Sequence, residues 1–176
     1  MTEQKGFTVW FTGLSGAGKS TIAEMLYHEF QARGMKTEIL DGDEVRKNLS
    51  KGLGFSKEDR DTNILRIGFV CHLLTRNDVI AIAAAISPYK DIRNKNRALI
   101  GNFIEVFVDT PVEECVRRDV KGLYKKALAG EITGFTGVDD PYEPPDNPEV
   151  RLDTVNQSAE QCADAILAKA AELGYL

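Results

Sequence analysis

Apolar residues along this chain follow two alternating rhythms. Phe7 to Thr12 (FTVWFT) is a compact run of aromatic and β-branched residues, the composition of a strand. From Thr21 to Arg33 the apolar positions move to helical spacing, with Ile22, Met25, Leu26 and Phe30 on one stripe. Strand-like runs return at Lys36 to Leu40 (KTEIL), Val79 to Ile86 (VIAIAAAI) and Phe103 to Val108 (FIEVFV). Such unbroken runs suit strands buried on both faces of a parallel sheet. Helical patterns fall between them. Ser56 is placed to cap a helix containing Ile64, Ile67, Cys71 and Leu74, and Ser158 with Gln161 forms a capping box on a last helix ending near Gly174. The pattern predicts a three-layer α/β sandwich, a parallel sheet flanked by helices. Ligands in such sheets bind beyond the carboxyl ends of the strands, where Asp41, Ser87 and Asp109 emerge. Asp109 reads as a helix cap rather than as a second aspartate beside a phosphate site.

Residues 120–149 break the rhythm. Lys121, Lys125 and Lys126 precede a Gly- and Pro-rich stretch, GEITGFTGVDDPYEPPDNPE, that is polar and has no sustained period. A connection this long in a compact domain is usually a lid or binding loop; a solvated insertion is the alternative.

Between the first strand and first helix lies GLSGAGKST, residues 13–21. Gly13, Gly18, Lys19 and Ser20 satisfy GxxxxGK[ST], the pattern of a phosphate-binding loop. Backbone N–H groups of Gly13, Leu14, Ser15, Gly16, Ala17, Gly18, Lys19, Ser20 and Thr21 are expected to wrap the phosphates of a nucleoside triphosphate. Lys19 reaches its β/γ oxygens, Ser20 serves Mg²⁺, and the following helix aims its positive end at the same anion.

Composition narrows the classes. A chain of 176 residues with 43% hydrophobic content accommodates one domain, residues 1–176, and its net charge of −5 argues against a general nucleic-acid binder. The start MTEQKGF has no apolar signal region, and Val79 to Ile86 is far shorter than the ~20 residues that cross a bilayer, so a cytoplasmic protein without a membrane partner is expected. Cys71, Cys115 and Cys162 lie far apart in helix-like patterns and read as buried free thiols.

Further motifs follow the loop: DGDEVR at 41–46, GFSKEDRDTNILR at 54–66, ISPYKDIR at 86–93 and KGLYKKALAGEITGFTGVDDPY at 121–142. With the phosphate loop, they make nearly the whole chain resemble adenylylsulfate kinase. The resemblance implies a P-loop kinase fold with a lid, and transfer of the γ-phosphoryl group of ATP to the 3′-hydroxyl of adenosine 5′-phosphosulfate. It also implies a homodimer. Two positions depart from the family pattern: Glu44 stands where Asn is more usual, and Ala17 where Ser is frequent.

Chemistry gives these residues roles. Phosphoryl transfer needs a positioned acceptor and a carboxylate to orient it or take its proton. Asp43 is the candidate, with Lys19 on the phosphates and Asp41 beside Ser20 for Mg²⁺, which needs few protein ligands; an ordinary turn is the alternative for the two aspartates. Arg46 and Arg60 can clamp a phosphosulfate with guanidinium forks. Asn63 shares a helix face with Arg60. In the family the matching positions bind the adenylylsulfate, and Phe55 and Phe135 resemble the aromatic pair that sandwiches its adenine. Ile86 and Ser87 can meet the phosphosulfate. Family descriptions also mark this serine as a phosphorylated intermediate, but no adjacent His or Lys activates it, so the role of Ser87 stays open among contact, carrier and turn. Lys121 belongs to the expected lid, about residues 120–149. A different small-metabolite kinase or a GTP-binding switch would share the loop; the NKxD string of such switches has only NKNR at 94–97 here.

Overall fold

Three strands carry the most apolar runs and are buried along their whole length: β1 (Phe7–Thr12), β3 (Ile80–Ala84) and β4 (Phe103–Val108). They form the centre of a five-stranded sheet, with β2 (Thr37–Asp41) and β5 (Val150–Leu152) at its edges in the order β2-β3-β1-β4-β5. Every neighbouring pair is parallel, with Val9 opposite Ile82 on one side and Ile104 on the other. The computed structural model describes residues 3–176; Met1 and Thr2, part of the start without a signal pattern, lie outside the described residues.

Alternation along β1 divides the core. Phe7, Val9 and Phe11 face a cluster with Ile22, Leu26 and Phe30 of α1 (Lys19–Ala32) and Cys162 and Ile166 of α7 (Ala159–Glu172). Trp10 faces the other side, onto Ile64, Ile67 and Cys71 of α3 (Lys57–Thr75) and Ile92 and Ile100 of α4 (Lys90–Ile100). The two helical layers thus cover both faces of the sheet, as period-2 burial demands. A Cβ at Gly68 would lie 2.0 Å from Asn96 Oδ1, so only glycine lets α3 approach α4 this closely. Ser56 Oγ accepts from Asp59 N at 3.1 Å, and Ser158 and Gln161 cap each other's backbone as the sequence predicts. The three cysteines are free and buried.

Differences from the sequence reading concern short elements. DGDEVR is not a plain turn, because α2 (Gly42–Lys47) begins at once, capped by Asp41 Oδ1, which accepts from Asp43 N at 3.1 Å. Helix α6 (Leu123–Leu128) stands inside the polar segment, burying Tyr124 and Ala127. One buried pair cannot display a helical period. Edge strand β5 has only three residues, and its Val150 and Leu152 face the core. Asp109 corrects an expectation. Helix α5 (Val112–Arg118) is capped at Pro111 without a side-chain bond, and the Asp109 carboxylate instead pairs with Arg151 of β5. The Asp109 N–H donates to Leu152 O at 2.9 Å, so this residue extends the β4–β5 pairing and its side chain faces the neighbouring strand.

Candidate functional site

β1 delivers the chain to the carboxyl edge of the sheet, and residues 13–18 turn it into α1. Gly18, at the N-cap, has φ 113°, a conformation a Cβ would strain. The loop is held from behind. Tyr124 Oη donates to Ser15 O at 2.8 Å, and Thr110 and Thr154 hydroxyls each donate to Ala17 O at 3.0 Å. With its carbonyls tied back, the loop keeps the N–H groups of Ser15, Gly16 and Gly18 without a partner among the described residues. They and the α1 N-terminus form an anion cradle. Lys19 crosses the cradle, its Nζ donating to Gly13 O at 2.8 Å and Leu14 O at 2.7 Å. Burial lowers its pKa to about 8.

From the cradle a row of contacts runs to the polar segment. Ser20 Oγ donates to Asp41 Oδ2 at 2.8 Å, Asp41 caps α2 at Asp43, and Asp43 Oδ2 pairs with Lys121 Nζ at 2.6 Å. The phosphate loop, both candidate aspartates and the candidate lid lysine therefore belong to one contiguous set. Ser20 Oγ and Asp41 Oδ2 are hard oxygen donors side by side, a set that fits Mg²⁺ completed by phosphate oxygens and water.

Arg46 and Phe55 stand together, the guanidinium carbon 4.4 Å from the ring centroid, with Arg46 Nη1 donating to Gly54 O at 2.7 Å. Phe55 is 68% exposed, so its ring is held by a cation on one side and open on the other. Arg60 is buried, yet its guanidinium reaches out to Asp140, at 2.6 Å, and to Gly134 O. Phe135 sits between those two partners in the chain, its ring edge-on to Tyr124 at 5.0 Å, half-buried. Asn63, one turn after Arg60, has a buried Oδ1 with no hydrogen-bond partner among the described residues. A buried acceptor without a donor is unusual in a folded protein. Glu44 turns away along α2 and accepts from Asn48 Nδ2 at 3.1 Å, so its carboxylate takes no part in this cluster.

Ile86 O accepts from Thr12 Oγ1 at 2.6 Å. Ser87 next to it has φ 50°, a left-handed conformation that costs about 1–3 kcal/mol for a residue with a Cβ. Arg93 Nη1 and Thr12 Oγ1 both donate to the Ser87 carbonyl, while Trp10 Nε1 donates to its Oγ at 3.1 Å. The hydroxyl is buried and bonded to an indole, with no base among its partners.

The family model described as Adenylylsulphate kinase matches residues 5–153. The chain belongs to the adenylylsulphate kinase family. It is 62% identical over 174 residues to the adenylyl-sulfate kinase of Picosynechococcus, covering 99% of this chain and 98% of that one. It is also similar to a Mycobacterium tuberculosis APS kinase solved in complex with AMPPNP and APS, at 44% identity and TM-score 0.91, covering 96% of this chain and 99% of the other. A hexameric APS kinase from Thiobacillus denitrificans is 40% identical with TM-score 0.76; the match covers 99% of this chain and 30% of that one.

Several residues around the candidate site of this adenylylsulphate kinase family member escape sequence reasoning. Tyr142 Oη is 2.8 Å from Thr12 Oγ1, and Arg93, wholly buried, joins the Ser87 carbonyl to that of Glu143. Behind Arg93 stands Glu105 at 3.4 Å, its carboxyl pushed up by burial despite Arg97 and Arg93. Tyr142 and Arg93 lie inside quoted motifs, but nothing in their spacing says that they meet. The grip of Thr110 and Thr154 on the loop carries no sequence signal at all, and Tyr124 lies in a quoted motif whose spacing does not say that it meets Ser15.

Proposed function

We propose that this chain phosphorylates adenosine 5′-phosphosulfate in the row from Ser20 through Asp41 and Asp43 to Lys121. The observation that carries the assignment of roles is the Asp43–Lys121 contact, which puts a carboxylate between the phosphate cradle and the polar segment. The 3′-hydroxyl oxygen attacks the γ-phosphorus of ATP, its proton passes to Asp43, and the bond to the β,γ-bridging oxygen breaks, releasing ADP. Lys19 and the free loop N–H groups hold the phosphates throughout. Ser20 and Asp41 would hold Mg²⁺, which supplies neutralisation of the β/γ charge. Lys121 must leave Asp43 as substrates enter, which makes it a lid group that turns to anionic oxygens.

On the acceptor side, Arg46 and Arg60 clamp the phosphosulfate, and Phe55 and Phe135 stack on the adenine. Asn63 Oδ1 takes a donor from the substrate, a role supported by its lack of a partner among the described residues. Ile86 and Ser87 position the acceptor through a backbone fixed by Thr12 and Arg93; the Trp10 bond on Ser87 Oγ supports a contact role over a phosphoryl carrier. The chain acts as a cytoplasmic protein, a reading supported by three free buried thiols, and as a homodimer, as the family resemblance implies.

The test is product analysis from ATP, Mg²⁺ and adenosine 5′-phosphosulfate beside mixtures with AMP or no acceptor. Formation of 3′-phosphoadenosine 5′-phosphosulfate with equimolar ADP in the first mixture alone is expected. ADP release independent of acceptor would overturn the reading.

A further inference from the structure

Helix α4 begins without a cap of its own. Tyr89 stands at the N-cap in an extended conformation and its side chain makes no capping bond, so the first N–H groups of the helix need an acceptor from elsewhere. Glu143 supplies one from 53 residues along the chain, its Oε1 accepting from Lys90 N at 2.9 Å. A carboxylate at that place also meets the positive end of the helix. The backbone of Glu143 is spent on the same turn: its N–H donates to Pro88 O at 2.8 Å, and its carbonyl accepts from Arg93 Nη2. The other nitrogen of that guanidinium fork, Nη1, holds the Ser87 carbonyl. One residue of the polar segment thus grips the whole turn that leads from Ser87 into α4.

What these bonds hold is the strained stretch of the acceptor side. Ser87 has φ 50°, and a conformation of this kind persists only where its surroundings over-determine it. Thr12 fixes the chain before it, through Ile86 O at 2.6 Å, and Glu143 fixes the chain after it, through Pro88 O and Lys90 N. Tyr142, the preceding residue, places its Oη 2.8 Å from the same Thr12 hydroxyl, and Asp140 pairs with Arg60 at 2.6 Å. Residues 140–143 therefore join the turn at Ser87 to the arginine assigned to the phosphosulfate. We propose that Glu143 is a positioning residue for the acceptor: by capping α4 and pinning Pro88, it sets Ile86 and Ser87 in the geometry that receives the phosphosulfate. The inference deepens the kinase reading and rests on the place given there to Ile86 and Ser87.

The test is initial-rate kinetics on the native chain, Glu143→Ala, Glu143→Gln and Asp146→Ala, at a temperature where thermal melts show all four folded. Glu143→Ala removes the capping oxygen and leaves the two backbone bonds. Its KM for adenosine 5′-phosphosulfate is expected to rise about tenfold, the scale of one lost hydrogen bond to a charged group, with KM for ATP native. Glu143→Gln keeps an oxygen for Lys90 N and should recover most of that loss. Asp146→Ala removes only the exposed ion pair of the same segment with Lys90 and should leave both constants native. A lowered melting temperature with native KM values in Glu143→Ala would make the residue a structural cap and overturn the proposal. So would an equal rise in KM for ATP, a failure of Glu143→Gln to recover, or the same rise in Asp146→Ala, which would credit any loosening of the segment. A native chain that forms no 3′-phosphoadenosine 5′-phosphosulfate would sink the kinase reading and this proposal with it.

Discussion

The two halves of this site are built to different standards of permanence. On the nucleotide side, the phosphate loop is held by hydroxyls on its carbonyls, and the N–H groups of Ser15, Gly16 and Gly18 have no partner among the described residues. On the acceptor side, Asp43 is 68% exposed in its pair with Lys121, and Phe55 offers an open ring. Arg60 spends its guanidinium on Asp140 and Gly134 O, groups of the polar segment itself. A triphosphate can enter a finished cradle. On the proposed reading, the acceptor must displace contacts that the empty protein makes within itself, so that its pocket is completed only when substrate exchanges with them.

The sharpest way to break this comparison is to remove the group shared by both halves. Asp43→Ala is expected to lower kcat by about 10²- to 10⁴-fold, the usual worth of a positioned acid or base, while ATP affinity stays near native. A parallel loss of ATP binding, measured by calorimetry, would place Asp43 in the cradle instead.

Next in size is the support beneath the acceptor half. Arg93 carries the strained Ser87 carbonyl and the Glu143 carbonyl, and Arg93→Met would leave Glu105 buried with one exposed-side partner, Arg97. Breaking such a pair costs about 3–5 kcal/mol, which urea unfolding would read as a lowered midpoint. A variant as stable as the native protein would show that the pair is dispensable.

Phe55→Ala sharpens the contrast. Loss of one stacking partner should cost about 1–3 kcal/mol, appearing in KM for the adenylylsulfate with KM for ATP unchanged. The smallest expected effect is a pH dependence confined to the cradle. The Lys19 amine, lowered to about 8 by burial in the empty loop, is drawn back to its charged form by phosphates. Above pH 8 the neutral amine predominates before binding, so ATP binding takes up a proton and affinity falls as pH rises, up to about tenfold per unit. Calorimetry in two buffers of different ionisation heat measures that proton, and its absence above pH 8 would contradict the assignment.

Sequence alone made the nucleotide half readable because its chemistry is local. Nine consecutive residues hold the loop, and β1 and α1 on either side announce themselves by period. The four longer strands were legible for the same reason, as were the caps at Ser56 and Ser158. The acceptor half is assembled from residues 41 to 140, and its members were assignable only through family motifs. What stayed hidden is what only three dimensions bring together: Trp10 on Ser87, Arg93 between Ser87 and Glu143, Thr154 behind Ala17. Asp109 shows the converse. Its position at the end of β4 suited a cap, but the edge strand β5, too short to declare itself, supplied Arg151 as a partner.

The measurement that bears most directly on the contrast is amide hydrogen exchange of the empty protein, with ADP alone, and with ADP and adenosine 5′-phosphosulfate together. The account predicts that ADP alone protects the free N–H groups of Ser15, Gly16 and Gly18, and that residues 120–149 slow their exchange only when the acceptor joins. Exchange in residues 120–149 that is indifferent to both ligands, or already fully slowed by ADP alone, would contradict it.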